Sequence, residues 1–462
     1  MTDIVFLHMP KKVGAYREIM KMPLGLTALA DLLEKNGFSA RIFHESIEQK
    51  ADPGFDPVKL ARKEKAKLVA LTLHWHPQSY RVIETARSIK VADPDRAVVL
   101  GGLTASLFAD EIVSTFKEID YVVRGDAEIP LLELARGDKP KKDIPNLTWR
   151  DGERTVSNPL SYSAGREMLD SLVYSRLDLI AHHEMYLRLF DHEQDLDLMT
   201  REKLMASRPF AYYNAGRGCP VNCSFCGGSN STQCATSKRD KYLFISIPSV
   251  IRDLKGFAAH GAEYLYTSFD PDPRNDHYLK LFEQVRREGI KLNCYFECWD
   301  LPTDRFINDF GKTFGEGSCL IFSPDAGSEK VRRLNKGFSY SNAELMAKLD
   351  RVKKNGIKAE AYFTLGLPFE TGDDLKETED LMAELKRNHG DTRVRFMPME
   401  LDPGSPIWFD EKKYGATSFR KNFKDLYEAH RKAPSLGYRT DAFSEEEIIN
   451  KYREMSDRLK KV

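Results

Sequence analysis

Three cysteines within a single short run, Arg217-Gly-Cys-Pro-Val-Asn-Cys-Ser-Phe-Cys226, constrain this chain more than any other feature. Their spacing is C-x3-C-x2-C, so Cys219, Cys223 and Cys226 belong to one loop and converge on one ligand. Three thiolates this close can hold three irons of a cubane iron–sulfur cluster and leave the fourth iron without a protein ligand. An open iron is a coordination site for a small molecule, whereas a structural cluster takes a fourth cysteine. The competing reading is structural zinc, which pairs two Cys-x2-Cys or Cys/His units. The nearest other cysteine, Cys234, has no local partner, which favours the cluster.

The composition suits an enzyme of a reducing compartment. Seven cysteines, an odd number with a tight metal-type group, argue against disulfides. Lys plus Arg and Asp plus Glu are both 70, so no net charge draws the chain to nucleic acid or a membrane. No apolar run reaches the roughly 18 residues of a membrane span. The start, Met-Thr-Asp-Ile-Val-Phe-Leu, reads as a first strand instead of a signal peptide. A cytoplasmic location is expected.

Ahead of the cysteines, short apolar runs alternate with amphipathic segments. Strands are predicted at Ile4–His8, Ala40–His44, Leu68–Leu73, Ala97–Leu100 and Tyr121–Val123. Helices are predicted near Leu24–Lys35, Ser79–Val91, Leu107–Phe116 and Glu128–Arg136. This alternation predicts an α/β, Rossmann-like doubly wound parallel sheet, which binds ligands outside the carboxyl ends of its strands. Unusual residues gather at those ends: His8-Met-Pro, His74-Trp75-His76, Gly101-Gly102-Leu-Thr104 and Arg124-Gly125-Asp-Ala-Glu128. Glycines there let a backbone approach a bulky ligand, and Thr104 and Glu128 offer polar contacts.

From Phe210 to about Met399 the beat resumes. Strands are predicted at Phe210–Ala215, Tyr264–Ser268, Lys291–Phe296, Ser318–Phe322, Ala359–Leu365 and Arg393–Pro398, with five helices between them. Six such units suit a partial (β/α)6 barrel with its site at the carboxyl rim. The cysteine loop follows the first of these strands.

The cysteine spacing, with the aromatic Phe225 before the last thiol, resembles the radical S-adenosylmethionine (radical SAM) enzymes. In that family the open iron chelates the methionyl amine and carboxylate, and reduction cleaves the cofactor to a 5′-deoxyadenosyl radical. Ser323-Pro-Asp325-Ala-Gly-Ser-Glu329, Leu365-Gly366-Leu-Pro-Phe-Glu370-Thr and Pro403-Gly404-Ser405-Pro406 resemble, in order, motifs of its cobalamin-binding branch. The resemblance implies S-adenosylmethionine contacts from Phe225, Ser268, Asp270, Ser323, Asp325 and Gly366. The usual Gly-Gly-Glu is missing after the second barrel strand, so Ser268 and Asp270 are substitutes. An electron donor such as flavodoxin or ferredoxin is implied as a partner.

Residues 1–160 resemble the cobalamin-binding domain of the same branch. The resemblance implies cobalamin contacts from His74, Trp75, His76, Gly101, Gly102, Thr104, Gly125 and Glu128. Cobalamin proteins with a histidine on cobalt carry Asp-x-His-x-x-Gly after the first strand. Here the loop reads His8-Met-Pro-Lys-Lys-Val-Gly14, so no histidine ligand is expected from it. Trp75 is the candidate for the lower corrin face, with His74 and His76 as alternative cobalt ligands.

The expected domains are 1–160, a linker or cap at 161–207, the barrel at 208–404 and a helical extension at 405–462. In the linker, Ala181 to His192 is expected to be an amphipathic bridging helix, and His182, His183 and His192 form no metal set. Cys294, Cys298 and Cys319 are expected to pack in the core instead of binding a second cluster. The expected activity is methyl transfer from methylcobalamin to an unactivated carbon. Cyclisation or rearrangement is the alternative, as is a cobalamin-free enzyme whose first domain binds a partner. The substrate is not legible.

Overall fold

Runs rich in Val, Ile and Leu between polar loops become two separate parallel sheets. The structure, a computed structural model, describes residues 2–13, 16–18, 21–189, 200–431 and 435–459. The first sheet contains β1 (Ile4–His8), β2 (Ala40–His44), β3 (Leu68–Thr72), β4 (Ala97–Gly101), β5 (Tyr121–Val123), β6 (Leu147–Asp151) and β7 (Arg154–Ser157). Its order is β2-β1-β3-β4-β5-β6-β7. The first five strands are parallel, and β6 and β7 add an antiparallel hairpin. Every residue of β1 and β3 is buried, as helices on both faces require. The winding direction reverses between β1 and β3, and such a switch point opens a ligand crevice.

The second sheet runs in strict chain order: β8 (Phe210–Tyr212), β9 (Tyr264–Thr267), β10 (Asn293–Cys298), β11 (Cys319–Asp325), β12 (Lys358–Leu365) and β13 (Arg393–Pro398). All its pairings are parallel, and β8 and β13 are its two edges, so the barrel is open. Alternation along the strands sorts the residues. Phe210, Tyr295, Cys319 and Ile321 cluster inside, while Leu265, Phe296, Leu320 and Phe363 join the core under the outer helices. Helix starts are chemically marked: Thr303 accepts from the Phe306 amide, and Ser341 and Thr371 head capping boxes. Such caps contribute about 1 kcal/mol each.

Three expectations are corrected. The helix predicted at Leu107–Phe116 breaks at Phe108 into Leu103–Leu107 and Ala109–Thr115. Phe108 leaves helical geometry and packs its ring on Trp408 and Phe423, both at 6.0 Å. The described part of the linker is not one solvated helix. Leu169, Leu172, Leu177 and Ile180 are buried between the two units, and Ile180 bridges to Ile42 of β2. Among the described residues from 181 to 207, His183–Tyr186 and Arg201–Met205 are the helical ones, and His192 lies outside the described residues. His182 pairs with Glu48 at 3.0 Å, and the His183 ring packs 5.3 Å from that of His260.

The C-terminal extension is not wholly helical: Ala416–Ser418 pairs with Tyr438–Thr440 as an antiparallel ribbon. Helix Phe423–Arg431 leaves the barrel and docks on the first domain, with Phe423 5.5 Å from the Phe116 ring and Tyr427 donating to Glu84 at 2.7 Å. Helix Glu445–Leu459 packs beside β13 through Tyr452 and Phe396. No described helix is long and apolar enough to cross a membrane.

Candidate active site between two sheets

The carboxyl ends of both sheets open into one cavity of about 920 Å³. Strand ends are where parallel sheets expose backbone and polar loops, so this placement follows from topology. Cys219, Cys223, Cys226 and Phe225 line it from the loop after β8, and Ser268, Ser323 and Asp325 from later barrel strands. His74, Trp75, Gly101, Gly102, Gly125 and Glu128 line it from the first sheet.

The cysteine loop is fastened from several sides. Ser224 Oγ meets Asn335 Oδ1 at 2.6 Å, and the Gly227 amide donates to Asp402 at 3.0 Å. Amides of Gly228 and Gly337 donate to the sulfurs of Cys226 and Cys223 at 3.3 and 3.4 Å. A Cβ on Gly337 would fall 2.2 Å from that of Val221, so only glycine lets this amide reach the loop. Burial pushes the Cys219 and Cys226 thiols up to about 11 and about 12. They therefore stay protonated at neutral pH unless a cation replaces the proton. Among the described residues no three His, Cys, Asp or Glu side chains converge as around a single ion. A cubane takes each thiolate on a different iron, so three soft donors on one loop suit such a cluster.

Next to the cluster loop, Asp325 sits at φ 58°, a left-handed conformation that Asp tolerates through local hydrogen bonds. Thr364 donates to it at 2.8 Å and Lys336 lies 2.7 Å away. Asp325 thus presents a fixed carboxylate to the cavity. Asn214 accepts from the Ser268 amide, and Trp299 donates to the Ser268 carbonyl, each at 3.0 Å.

On the opposite wall, Gly102 has φ 118° and a Cβ there would meet the His74 backbone at 2.6 Å. The glycine lets the β4 turn lie flat on the His74-Trp75 loop. The ring of Trp75 meets that of His74 edge-on at 4.7 Å, and burial holds the His74 imidazole down to about 4, hence neutral. Leu26, Leu29, Val99 and Leu131 continue this wall as an apolar slot suited to a large, mostly apolar ligand. With the neutral His74 and the glycine turn, the slot fits a corrin macrocycle.

Four of the sequence-named positions do not line the cavity. Thr104 is buried and donates to the His74 carbonyl at 3.2 Å. His76 turns away to His430 at 3.0 Å and towards Glu400 and Asp402. Asp270 accepts from the Trp299 amide at 3.0 Å, and burial raises it to about 8. Gly366 packs under Tyr438 while its amide donates to Glu370 at 2.7 Å. His8 is likewise fully buried and bonded to Thr72. In each case another residue near the strand end claims the side chain or backbone.

Sequence reading missed a set of ions joining the two halves. Asp126 accepts from Arg217 at 3.1 Å and from Arg239, while Arg217 also reaches Glu128 at 2.6 Å. Glu128 therefore faces the cavity as the partner of a residue two positions before Cys219. Pairing across 91 residues leaves no local signal. Asn214 and Trp299 follow β8 and β10, and the strand-end rule could have found them.

A two-domain enzyme with cofactor walls facing across one cavity is defined by this fold. Residues 11–135 match the family model of the B12 binding domain, and residues 213–382 that of the radical SAM superfamily. The chain belongs to the cobalamin-dependent radical SAM enzymes, whose cofactors are a 4Fe–4S cluster, S-adenosylmethionine and cobalamin. It is 21% identical over 368 residues to the anaerobic magnesium-protoporphyrin IX monomethyl ester cyclase of Rubrivivax gelatinosus, covering 77% of this chain and 61% of the relative. It is 24% identical over 283 residues to the hopanoid C-3 methylase of Methylococcus capsulatus, covering 60% and 47%. It thus spans about half to three fifths of these relatives' lengths. The radical SAM methyltransferase TsrM from Kitasatospora setae, solved with cobalamin and a [4Fe-4S] cluster, has the same fold. That match has a TM-score of 0.70 and 17% identity over 99% of this chain and 89% of the other.

Proposed function

We propose that this enzyme transfers a methyl group to an unactivated carbon of its substrate. One observation carries the reading: the three cluster cysteines and the cobalamin-side residues line the same cavity, so a substrate there meets both. When bound, the cluster and S-adenosylmethionine would supply a hydrogen-abstracting radical, and cobalamin a methyl group. Cys219, Cys223 and Cys226 would hold the cluster. Asp325, braced by Lys336 and Thr364, would orient the adenosyl part. Trp75 would cover the lower corrin face. The Asp126, Arg217 and Glu128 pairs hold the two walls together.

The methylase relative supports methyl transfer. The cyclase relative, aligned over 77% of this chain, favours ring formation as the second reading. By-products separate the two. An sp³ carbon without lone pair or acidic hydrogen must first become a radical, which consumes one S-adenosylmethionine. The methyl comes from a second. Anaerobic turnover with a methylated product should give 5′-deoxyadenosine and S-adenosylhomocysteine in a ratio near one to one. Deoxyadenosine without homocysteine product, and a substrate changed only in connectivity, would establish cyclisation. Reduction by a flavodoxin- or ferredoxin-type donor and a cytoplasmic location belong to the same proposal.

A further inference from the structure

Ser224, between Cys223 and Phe225, is held by neighbours that each stand next to a large apolar side chain left exposed by the fold. Its amide donates to the Asn335 carbonyl at 2.7 Å, and its carbonyl accepts from the Ile407 amide at 2.9 Å. Asn335 in turn donates to the Pro368 carbonyl at 2.9 Å. Leu334, Phe369 and Phe409, one or two residues from these contacts, are 45%, 37% and 52% exposed. They are three of the six exposed large hydrophobic side chains among the described residues, so half of that set adjoins the supports of one loop. None of the three lines the cavity. Phe369 also holds a left-handed backbone at φ 65°, costly for a bulky residue, with its ring 6.4 Å from that of Tyr414. Exposed apolar side chains gathered beside polar ones mark a surface that meets another protein.

We propose that this face docks an acidic one-electron carrier protein, which reduces the cluster held by the loop. The inference rests on the reading of the loop as a cluster site fed by such a donor. Basic side chains border the patch: Arg333 precedes Leu334, Lys412 and Lys413 precede Tyr414, and all three are exposed. The acids beside them are engaged. Asp410 accepts from the Lys413 amide at 3.1 Å, Glu411 pairs with Lys421, and Glu329 accepts from the Asn342 amide at 2.7 Å. Asp373 adds one exposed negative charge, which leaves the border positive. A small apolar centre with a charged border suits a brief redox encounter. Gly337 is itself exposed and donates to the Cys223 sulfur at 3.4 Å, so one peptide group stands between a docked carrier and a cluster thiol. Electron tunnelling falls steeply with distance, and the cavity is where S-adenosylmethionine and substrate would sit, so the carrier approaches from this face. In the step the carrier loses one electron and the cluster gains it; no bond breaks and no proton moves.

Freeze-quench electron paramagnetic resonance of the reconstituted holoenzyme, without substrate, counts reduced cluster over time. The probes are a bacterial flavodoxin hydroquinone and photoreduced deazaflavin, a small neutral reductant that needs no docking. Reduction of wild type by flavodoxin should slow as salt rises, because the attraction is between exposed charges. Arg333→Glu/Lys412→Glu should slow flavodoxin by about tenfold or more at low salt and remove the salt dependence, while deazaflavin reduces it at the wild-type rate. Leu334→Ser should slow flavodoxin and keep the salt dependence. An unchanged flavodoxin rate in the double variant would overturn the docking face and leave the donor reading standing. Equal slowing by both reductants would also overturn it, since the substitutions would then act on the cluster and not on docking. If deazaflavin reduces wild type and flavodoxin does not, donor and face fall together. Should the double variant lose its iron, Lys413→Glu and the wild-type salt dependence decide the question.

Discussion

Lys336 Nζ lies 2.7 Å from Asp325 Oδ2, and the next amide, that of Gly337, donates to the sulfur of Cys223 at 3.4 Å. One short turn after helix Glu329–Asn335 therefore positions both the carboxylate in the fourth strand-end loop and one cluster thiol. Burial alone would lower the Lys336 pKa, but the charge and hydrogen bond of Asp325, together with Tyr340 and Cys223, outweigh it and raise it.

Removing one partner of this pair leaves a buried charge uncompensated. Lys336→Met should lower stability by about 3 kcal/mol, the low end for broken buried pairs because Asp325 touches the cavity. The double variant Lys336→Met/Asp325→Asn should recover at least half of that in urea denaturation. Equal loss in the single and double variants would mean that packing, not charge, holds the turn.

The seam between the halves should respond to acid. Burial raises the Asp126 pKa, but the Arg217 and Arg239 guanidiniums outweigh it and hold the carboxyl below its ordinary 3.8. A depressed folded-state value contributes stability above the unfolded pKa of about 3.9, and that stability is lost as pH falls through the folded value. Asp126→Asn should therefore unfold at lower urea than wild type at about pH 5, and the gap should narrow as pH falls below the unfolded value of about 3.9. A gap constant with pH would show that the pairs with Arg217 and Arg239 contribute nothing through charge.

Iron should report one cluster. Replacing Cys219, Cys223 and Cys226 together by Ala should bring iron to background, since Cys294, Cys298 and Cys319 are buried and burial raises all three thiols. About four irons per chain retained in the triple variant would reveal a second site.

Cobalt should lack a histidine ligand. His8 is bonded to Thr72 and His76 to His430, which leaves His74 as the cavity-facing imidazole of the His74-Trp75-His76 loop. Its ring is packed edge-on against Trp75. Electron paramagnetic resonance of the cob(II)alamin form should show no axial nitrogen splitting, in wild type and His74→Ala alike. Splitting that disappears in His74→Ala would assign His74 to the metal.

What the sequence determined by itself is local. The cysteine loop needs only nine consecutive residues from Gly218 to Cys226, and β1, β2, β5 and β13 begin and end where the sequence predicts them, because strand periodicity and thiol spacing are written in adjacent residues. Tertiary structure alone decided which strand-end residues face the cavity. Thr104, Asp270 and Gly366 sit at the expected strand ends but are taken by His74, Trp299 and Glu370. The pairs Arg217–Glu128 and Lys336–Asp325, and the entry of Lys21 over Tyr212, join residues far apart or in separate loops. Such contacts follow from how two sheets and a buried linker pack, and a charged side chain carries no mark in the sequence of the partner it will meet.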